Sequence, residues 1–177
     1  MASLLIVTGP PGAGKSTIAR HLVQQQSPSV LVEGDRFFGF LAEGAIDPWL
    51  RSSKQQNEIV TRAAAAATGC FAASYDTIYD GVLGPWFLPT FAAATGLAEL
   101  DYVVVLPPLE VCIRRVATRT GHGFTDEPAT RKMHTEFAAA AIDQRHLLRT
   151  SSDDVSETAN TIRRAQAAGR LGYLTGV

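Results

Sequence analysis

Leu4-Leu5-Ile6-Val7-Thr8, Gly9-Pro10-Pro11-Gly12-Ala13-Gly14-Lys15-Ser16 and Thr17-Ile18-Ala19-Arg20-His21-Leu22-Val23 follow one another without a break. The first run is apolar and strand-like. The second fits G-x-x-x-x-G-K-[ST], the phosphate-binding loop. The third has helical spacing, with Ile18, Leu22 and Val23 on one face. Strand, glycine-rich turn and helix is the setting this motif requires.

The chemistry of that turn is local. A helix start carries unpaired backbone N–H groups and a partial positive charge, and phosphate oxygens satisfy both. Pro10 and Pro11 have no N–H to give. The cradle therefore comes from Gly12, Ala13, Gly14, Lys15 and Ser16. Lys15 is expected to reach the β- and γ-phosphates, and the Ser16 hydroxyl to hold Mg2+. The chain has only three lysines against thirteen arginines, and one of the three sits here. Gly9 and Thr17, at the two ends of the turn, complete the expected nucleotide-binding set.

Composition bounds the rest. A chain of 177 residues reads as one domain, residues 1–177, large enough for a proper core. Hydrophobic residues make up 46% and charged residues 19%, the balance of a globular protein. A formal net charge of −1 gives no general attraction to nucleic acid or acidic membranes. Cys70 and Cys112 form no close pair, so zinc, redox and disulfide frameworks are not indicated. No apolar run is long enough for a membrane span. The N-terminus runs straight into a strand, without the basic start and cleavage site of a signal peptide. A cytoplasmic enzyme is expected, and the sequence sets no oligomeric state.

Apolar runs then alternate with helical stretches, which predicts an α/β fold with a parallel sheet. Strands are expected at Leu4–Thr8, Val30–Glu33, Thr77–Tyr79 and Tyr102–Leu106, with a short fifth at His146–Arg149. Helices are expected at Gly14–Gln26, Lys54–Ser74, about Trp86 to Thr95, Leu109–Arg119, Pro128–Leu148 and Val155–Ala168. Residues Phe37–Ser53 read as irregular, and Thr120–Glu127 as a glycine-rich polar loop. Ligands in open α/β sheets sit beyond the carboxyl ends of the strands. The loop after the first strand, Asp35 after the second and Asp80 after the third all fall there.

Those two carboxylates suit phosphoryl transfer, which needs an acceptor oxygen held in line and its proton received. Asp35 is the candidate base. Asp80 is a candidate for Mg2+ or for the acceptor. No second acid follows it, which argues against an ATPase that primes water. Either residue also suits a simple turn cap. Arg115 and Arg119 lie four apart and share a helix face, with Arg114 one residue's turn away. Arginine is the usual clamp for charge on a transferring phosphoryl group. The competing reading is a solvated basic helix end, which the macrodipole favours. The loop through His122 and Phe124 is placed to close as a lid, about residues 115–131, and to exclude water. Arg131, Lys132 and Arg149 are secondary candidates for the phosphate field.

Between Asp35 and Lys54 the chain is aromatic: Phe37, Phe38, Phe40 and Trp49, with Arg36 and Arg51. Residues 35–54 are the candidate acceptor-binding segment, with Asp35, Arg36, Phe37, Trp49, Arg51 and Asp80 as its contacts. Core packing is the alternative for the aromatics.

Together these residues resemble the small P-loop kinases of the nucleoside-monophosphate-kinase superfamily. The nearest likeness is to the gluconate kinase-like and chloramphenicol phosphotransferase-like branch. Gly34-Asp35 resembles the position of the acceptor-side aspartate, a catalytic base in the chloramphenicol branch. Arg115-x-x-x-Arg119-x-Gly121-His122 with Phe124, then Glu136-Phe137, resembles the gluconate kinase lid region, with Gly123 as an extra residue. Ile142-Asp143-x-Arg145 and Thr150-Ser151 resemble the end of such chains, near where the adenine ring lies. The resemblance implies a three-layer sandwich with a five-stranded parallel sheet ordered 2-3-1-4-5, and ATP and Mg2+ as cofactors. It implies Lys15, Asp35, Arg115 and Arg119 as catalytic residues, Arg114 among the nucleotide contacts, and a small-molecule hydroxyl as acceptor.

Three functions are thus open. One is a small-molecule kinase, with an antibiotic, a sugar acid, a sugar or a nucleoside as its acceptor. The second is a regulatory nucleotide-binding module, against which the missing N-K-x-D guanine motif counts. The third is a kinase of nucleic-acid ends, against which the missing basic stripe counts.

Overall fold

Alternation in the first strand sets the architecture. Along β1 (Leu4–Thr8) every residue is buried, and successive side chains point to opposite faces. Leu4 and Ile6 join one apolar core, Leu5 and Val7 a second on the other face. Such a strand needs helices on both sides, as parallel sheets do. The computed structural model describes residues 3–118, 124–150 and 153–176.

The remaining elements are α1 (Lys15–Gln24), β2 (Ser29–Glu33), α2 (Lys54–Ala72), β3 (Asp76–Asp80), α3 (Leu88–Thr95), β4 (Glu99–Val105), α4 (Leu109–Thr118), α5 (Glu127–Ala139), β5 (Leu147–Leu148), α6 (Val155–Ala167) and β6 (Gly172–Leu174). Short 3-10 turns cover Gly34–Phe40, Arg51–Ser53 and Gln144–His146. The parallel strands lie in the order β2-β3-β1-β4-β5, as expected. In register, Leu5 faces Ile78 on one side and Asp101 on the other. One core holds residues of α2, α3 and α5, including Ala64, Phe91 and Phe137. The other holds Ile18, Ala19 and Leu22 of α1 with Ala159 and Ile162 of α6. The Tyr79 and Phe91 rings meet edge-on at 4.6 Å, an arrangement that stabilises by about 0.5–1.5 kcal/mol beyond area burial.

Two sequence expectations need correction. The helix expected over Pro128–Leu148 ends at Ala139, where Ala140 is already extended. Phe137 is its last buried residue, and the exposed alanines beyond offer no apolar face. The chain turns so that Ile142 and Leu147 reach the core and Leu147–Leu148 pairs with Val104–Val105. Asp143 caps this turn by accepting the Arg145 N–H. The sheet also gains a sixth strand. β6 runs antiparallel to the start of β4, pairing Leu100 with Tyr173. Its three residues are too few to show a period of two.

Candidate functional site

The loop from Gly9 to Gly14 leaves β1 between the ends of its neighbours and enters α1. Gly12 has φ 78°, and a Cβ there would lie 2.3 Å from the Cys112 carbonyl oxygen of α4. Only glycine lets the loop approach α4 so closely. Gly14, also left-handed, caps α1 without any side-chain hydrogen bond, and no acid lies in the first turn. By contrast, Asp126 and Asp154 cap α5 and α6 by accepting N–H groups at 2.8 and 3.0 Å. The first N–H groups of α1 therefore remain open to an external anion, as the motif demands.

Lys15 is buried at this start, Ser16 half-buried and Thr17 exposed. Ala13 is buried and its N–H closes a turn onto the Pro10 carbonyl at 3.1 Å. Asp80 ends β3 across from them, 5% exposed, and its Oδ1 is buried with no hydrogen-bond partner. Burial pushes the Asp80 carboxyl up, while the Lys15 charge and the Ser16 side chain pull it down. An orphaned carboxylate oxygen beside a serine hydroxyl is a hard oxygen donor set, and it fits Mg2+ completed by phosphate oxygens and water. Among the described residues no cluster of three or more His, Cys, Asp or Glu forms a metal site. Thr8 fixes the loop after Asp80: its hydroxyl donates to the Leu83 carbonyl at 3.1 Å and accepts the Leu83 N–H at 2.7 Å.

Asp35 lies exposed in the 3-10 turn that follows β2. The pairing of Glu33 with Asp80 brings that turn beside the end of β3. Arg36 is turned away onto Glu33, which also binds Arg20 at 2.9 Å. The two guanidiniums hold the Glu33 carboxyl below its ordinary value.

Arg115 reaches the phosphate loop itself. Its Nη1 lies 3.5 and 3.4 Å from the carbonyls of Gly12 and Ala13, and its Nη2 pairs with Asp153 at 2.6 Å. Arg114 is exposed on the adjacent face. Arg119, His122 and the rest of residues 119–123 lie outside the described residues, as does Ser151.

The aromatic segment divides. Phe37 packs on the core and meets Phe40 edge-on at 5.7 Å. Trp49 instead meets Phe124 at 5.1 Å, joining the expected acceptor segment to the expected lid. Lys132 donates to the Trp49 carbonyl at 2.6 Å. Arg51 is exposed at the start of the turn before α2.

Sequence reasoning missed the clamp under this segment. Gln56 binds both the N–H and the carbonyl of Ile46, at 2.8 and 2.6 Å. Asn57 donates to the Pro48 carbonyl at 2.7 Å, beside the Ser53 hydroxyl. The only sequence signal was a run of polar residues opening a helix next to a long loop.

Phosphate loop, uncapped helix start and strand-end carboxylates on this sheet define a P-loop nucleotide-binding fold of the small-kinase type. The chain belongs to the AAA domain family, whose model matches residues 4–141. No curated protein sequence matches it. Among solved structures, it is similar to the tunicamycin resistance protein of Deinococcus radiodurans. That match has 17% identity and a TM-score of 0.71, over 94% of this chain and 96% of that one. A sugar kinase from Janibacter sp. HTCC2649 matches at 18% identity and TM-score 0.67, over 95% and 98%. Shikimate kinase from Acinetobacter baumannii matches at 16% identity and TM-score 0.64, over 97% and 96%. These likenesses are of fold. No helix among the described residues is long and apolar enough to cross a membrane.

Proposed function

We propose that this chain is an ATP-dependent phosphotransferase that moves the γ-phosphoryl group to a hydroxyl of a small molecule. The observation that carries this is the convergence at one sheet edge of an uncapped α1 start, Lys15, Ser16 and two strand-end aspartates. The solved kinases with the same fold support it.

The backbone N–H groups at the start of α1 bind the phosphate oxygens, and Lys15 orients the β- and γ-phosphates. Ser16 and Asp80 would hold Mg2+, which neutralises charge between those phosphates when bound. Asp35 receives the proton of the acceptor hydroxyl. Arg115 fixes the loop from the α4 side and, with Arg114 and Arg119, supplies positive charge to the transferred group. Phe124 meeting Trp49 excludes water from the acceptor side, which favours transfer over hydrolysis. A cytoplasmic location is part of this proposal.

Within kinases, the aromatic contacts favour an antibiotic-like acceptor with an apolar or planar part over a sugar acid. Arg36 is committed to Glu33 and Lys132 to the Trp49 carbonyl, so neither is poised for a carboxylate. The test compares the wild-type protein with Lys15→Ala and Asp35→Asn, using labelled Mg2+·ATP and a panel of hydroxyl compounds. The expected result is loss of ATP turnover in Lys15→Ala. In Asp35→Asn, transfer is lost and ATP binding persists. Turnover independent of every acceptor would favour a regulatory nucleotide-binding module instead.

A further inference from the structure

Tyr79 is buried in the face of the sheet that holds α2 and α3, next to Phe91. Its ring is core. Its hydroxyl lies somewhere more particular. A Cβ at Gly34 would come within 2.1 Å of the phenol oxygen, and one at Gly81 within 2.9 Å. Gly34 immediately precedes Asp35, and Gly81 immediately follows Asp80. The phenol oxygen thus rests between the two backbones that carry the carboxylates. The pairing of Val32 with Tyr79 across β2 and β3 produces this placement.

Tyr102, the other large buried tyrosine, donates its hydroxyl to the Leu83 carbonyl at 3.1 Å. Tyr79 has no protein hydrogen-bond partner among the described residues. A core position that needed only the ring would be served by phenylalanine. A phenol is a neutral O–H donor at its ordinary ionisation, and the backbones against it carry the two carboxylates Asp35 and Asp80. Of the two, Asp80 faces Lys15 and Ser16. The Asp35 carboxylate makes no side-chain hydrogen bond or ion pair among the described residues, and its side chain is exposed.

We propose that Tyr79 is a positioning residue for Asp35: its phenol O–H donates to the Asp35 carboxylate and fixes the oxygen that meets the acceptor hydroxyl. What Asp35 then does rests on the proposed function, whereas the contact itself does not.

The test is carbon NMR on protein labelled at Cζ of its four tyrosines, in half-deuterated water, free and with Mg2+ and a non-hydrolysable ATP analogue. The Tyr79 line is identified by its loss in Tyr79→Phe, which keeps the ring and the fold. The expected result is a Tyr79 line split into protonated and deuterated forms. The splitting is lost in Asp35→Ala, which leaves no side-chain acceptor, and kept in Asp80→Asn, which removes a nearby charge and leaves Asp35 in place. A Tyr79 line unchanged by Asp35→Ala, in either state, overturns the proposal. Calorimetry on the same samples shows whether the analogue binds at all. Absence of binding counts against the proposed function and leaves the Tyr79–Asp35 result to stand by itself. Where transfer is measured, Tyr79→Phe is expected to lower its rate about tenfold with KM for ATP unchanged. An unchanged rate also overturns the proposal.

Discussion

Replacing Asp80 by asparagine should make the nucleotide-free protein more stable while impairing it as an enzyme. The Asp80 carboxylate is buried, and its Oδ1 has no partner. Desolvation outweighs the help of Lys15 and Ser16, so its folded-state pKa is raised. For a carboxyl, a raised folded pKa means that the ionised form destabilises the fold. That penalty is fully present above the raised value and is relieved as pH falls through it toward the unfolded value. A buried acceptor left without a partner costs about 1–3 kcal/mol, more when charged, and Lys15 and Ser16 offset part of that here. Asp80→Asn should therefore gain about 1–2 kcal/mol at pH 7, roughly 2–8 °C in Tm for a chain of this size. The assay is thermal unfolding of both proteins across pH, without and with Mg2+·ATP. The gap between them should narrow on acidification. Ligand at a hundred times Kd stabilises a single site by about 2.7 kcal/mol, and the wild-type protein should gain more from Mg2+·ATP than the variant. If Asp80→Asn is the less stable protein at pH 7 without ligand, the orphaned carboxylate is no cost, and the metal-site argument built on it falls.

Gly12→Ala should abolish ATP binding in calorimetry, because its Cβ would collide with the Cys112 carbonyl at a left-handed backbone position. The loop can relieve that contact only by moving away from α4. Trp49→Ala removes the edge contact with Phe124, worth about 0.5–1.5 kcal/mol. It should raise the ratio of ATP hydrolysis to transfer and leave the Kd for ATP unchanged; a change confined to ATP affinity would contradict the lid reading.

Much of this was legible in the sequence because it is local. The apolar run from Leu4 to Thr8, the glycine turn and the spacing of Ile18 and Leu22 specify strand, loop and helix at contiguous positions. The strand order is carried by the resemblance to small P-loop kinases, because β1 and β2 are consecutive in the chain but not neighbours in the sheet. What was hidden depends on residues far apart in the chain. The end of α5 at Ala139 is set by where Leu147 must pair with Val104, and a run of alanines gives no local stop. β6 exists because Tyr173 finds Leu100 on the stretch of β4 that the short β5 leaves unpaired. In the site, Lys15, Ser16 and Asp80 could be grouped by the strand-end rule. That Arg36 binds Glu33, that Lys132 reaches the Trp49 carbonyl and that Tyr79 ends between two glycines are matters of side-chain direction across elements. The pattern of one strand or one helix does not encode them.

In the proposed reaction this cleft passes the γ-phosphoryl group to a hydroxyl borne by carbon. Phosphorus NMR of Mg2+·ATP incubated with the wild-type protein and the panel of hydroxyl compounds tests it most directly. The expected spectrum shows ADP together with a new phosphomonoester resonance, absent with Lys15→Ala and dependent on one class of acceptor. ADP accompanied only by inorganic phosphate, at a rate no acceptor changes, would contradict it.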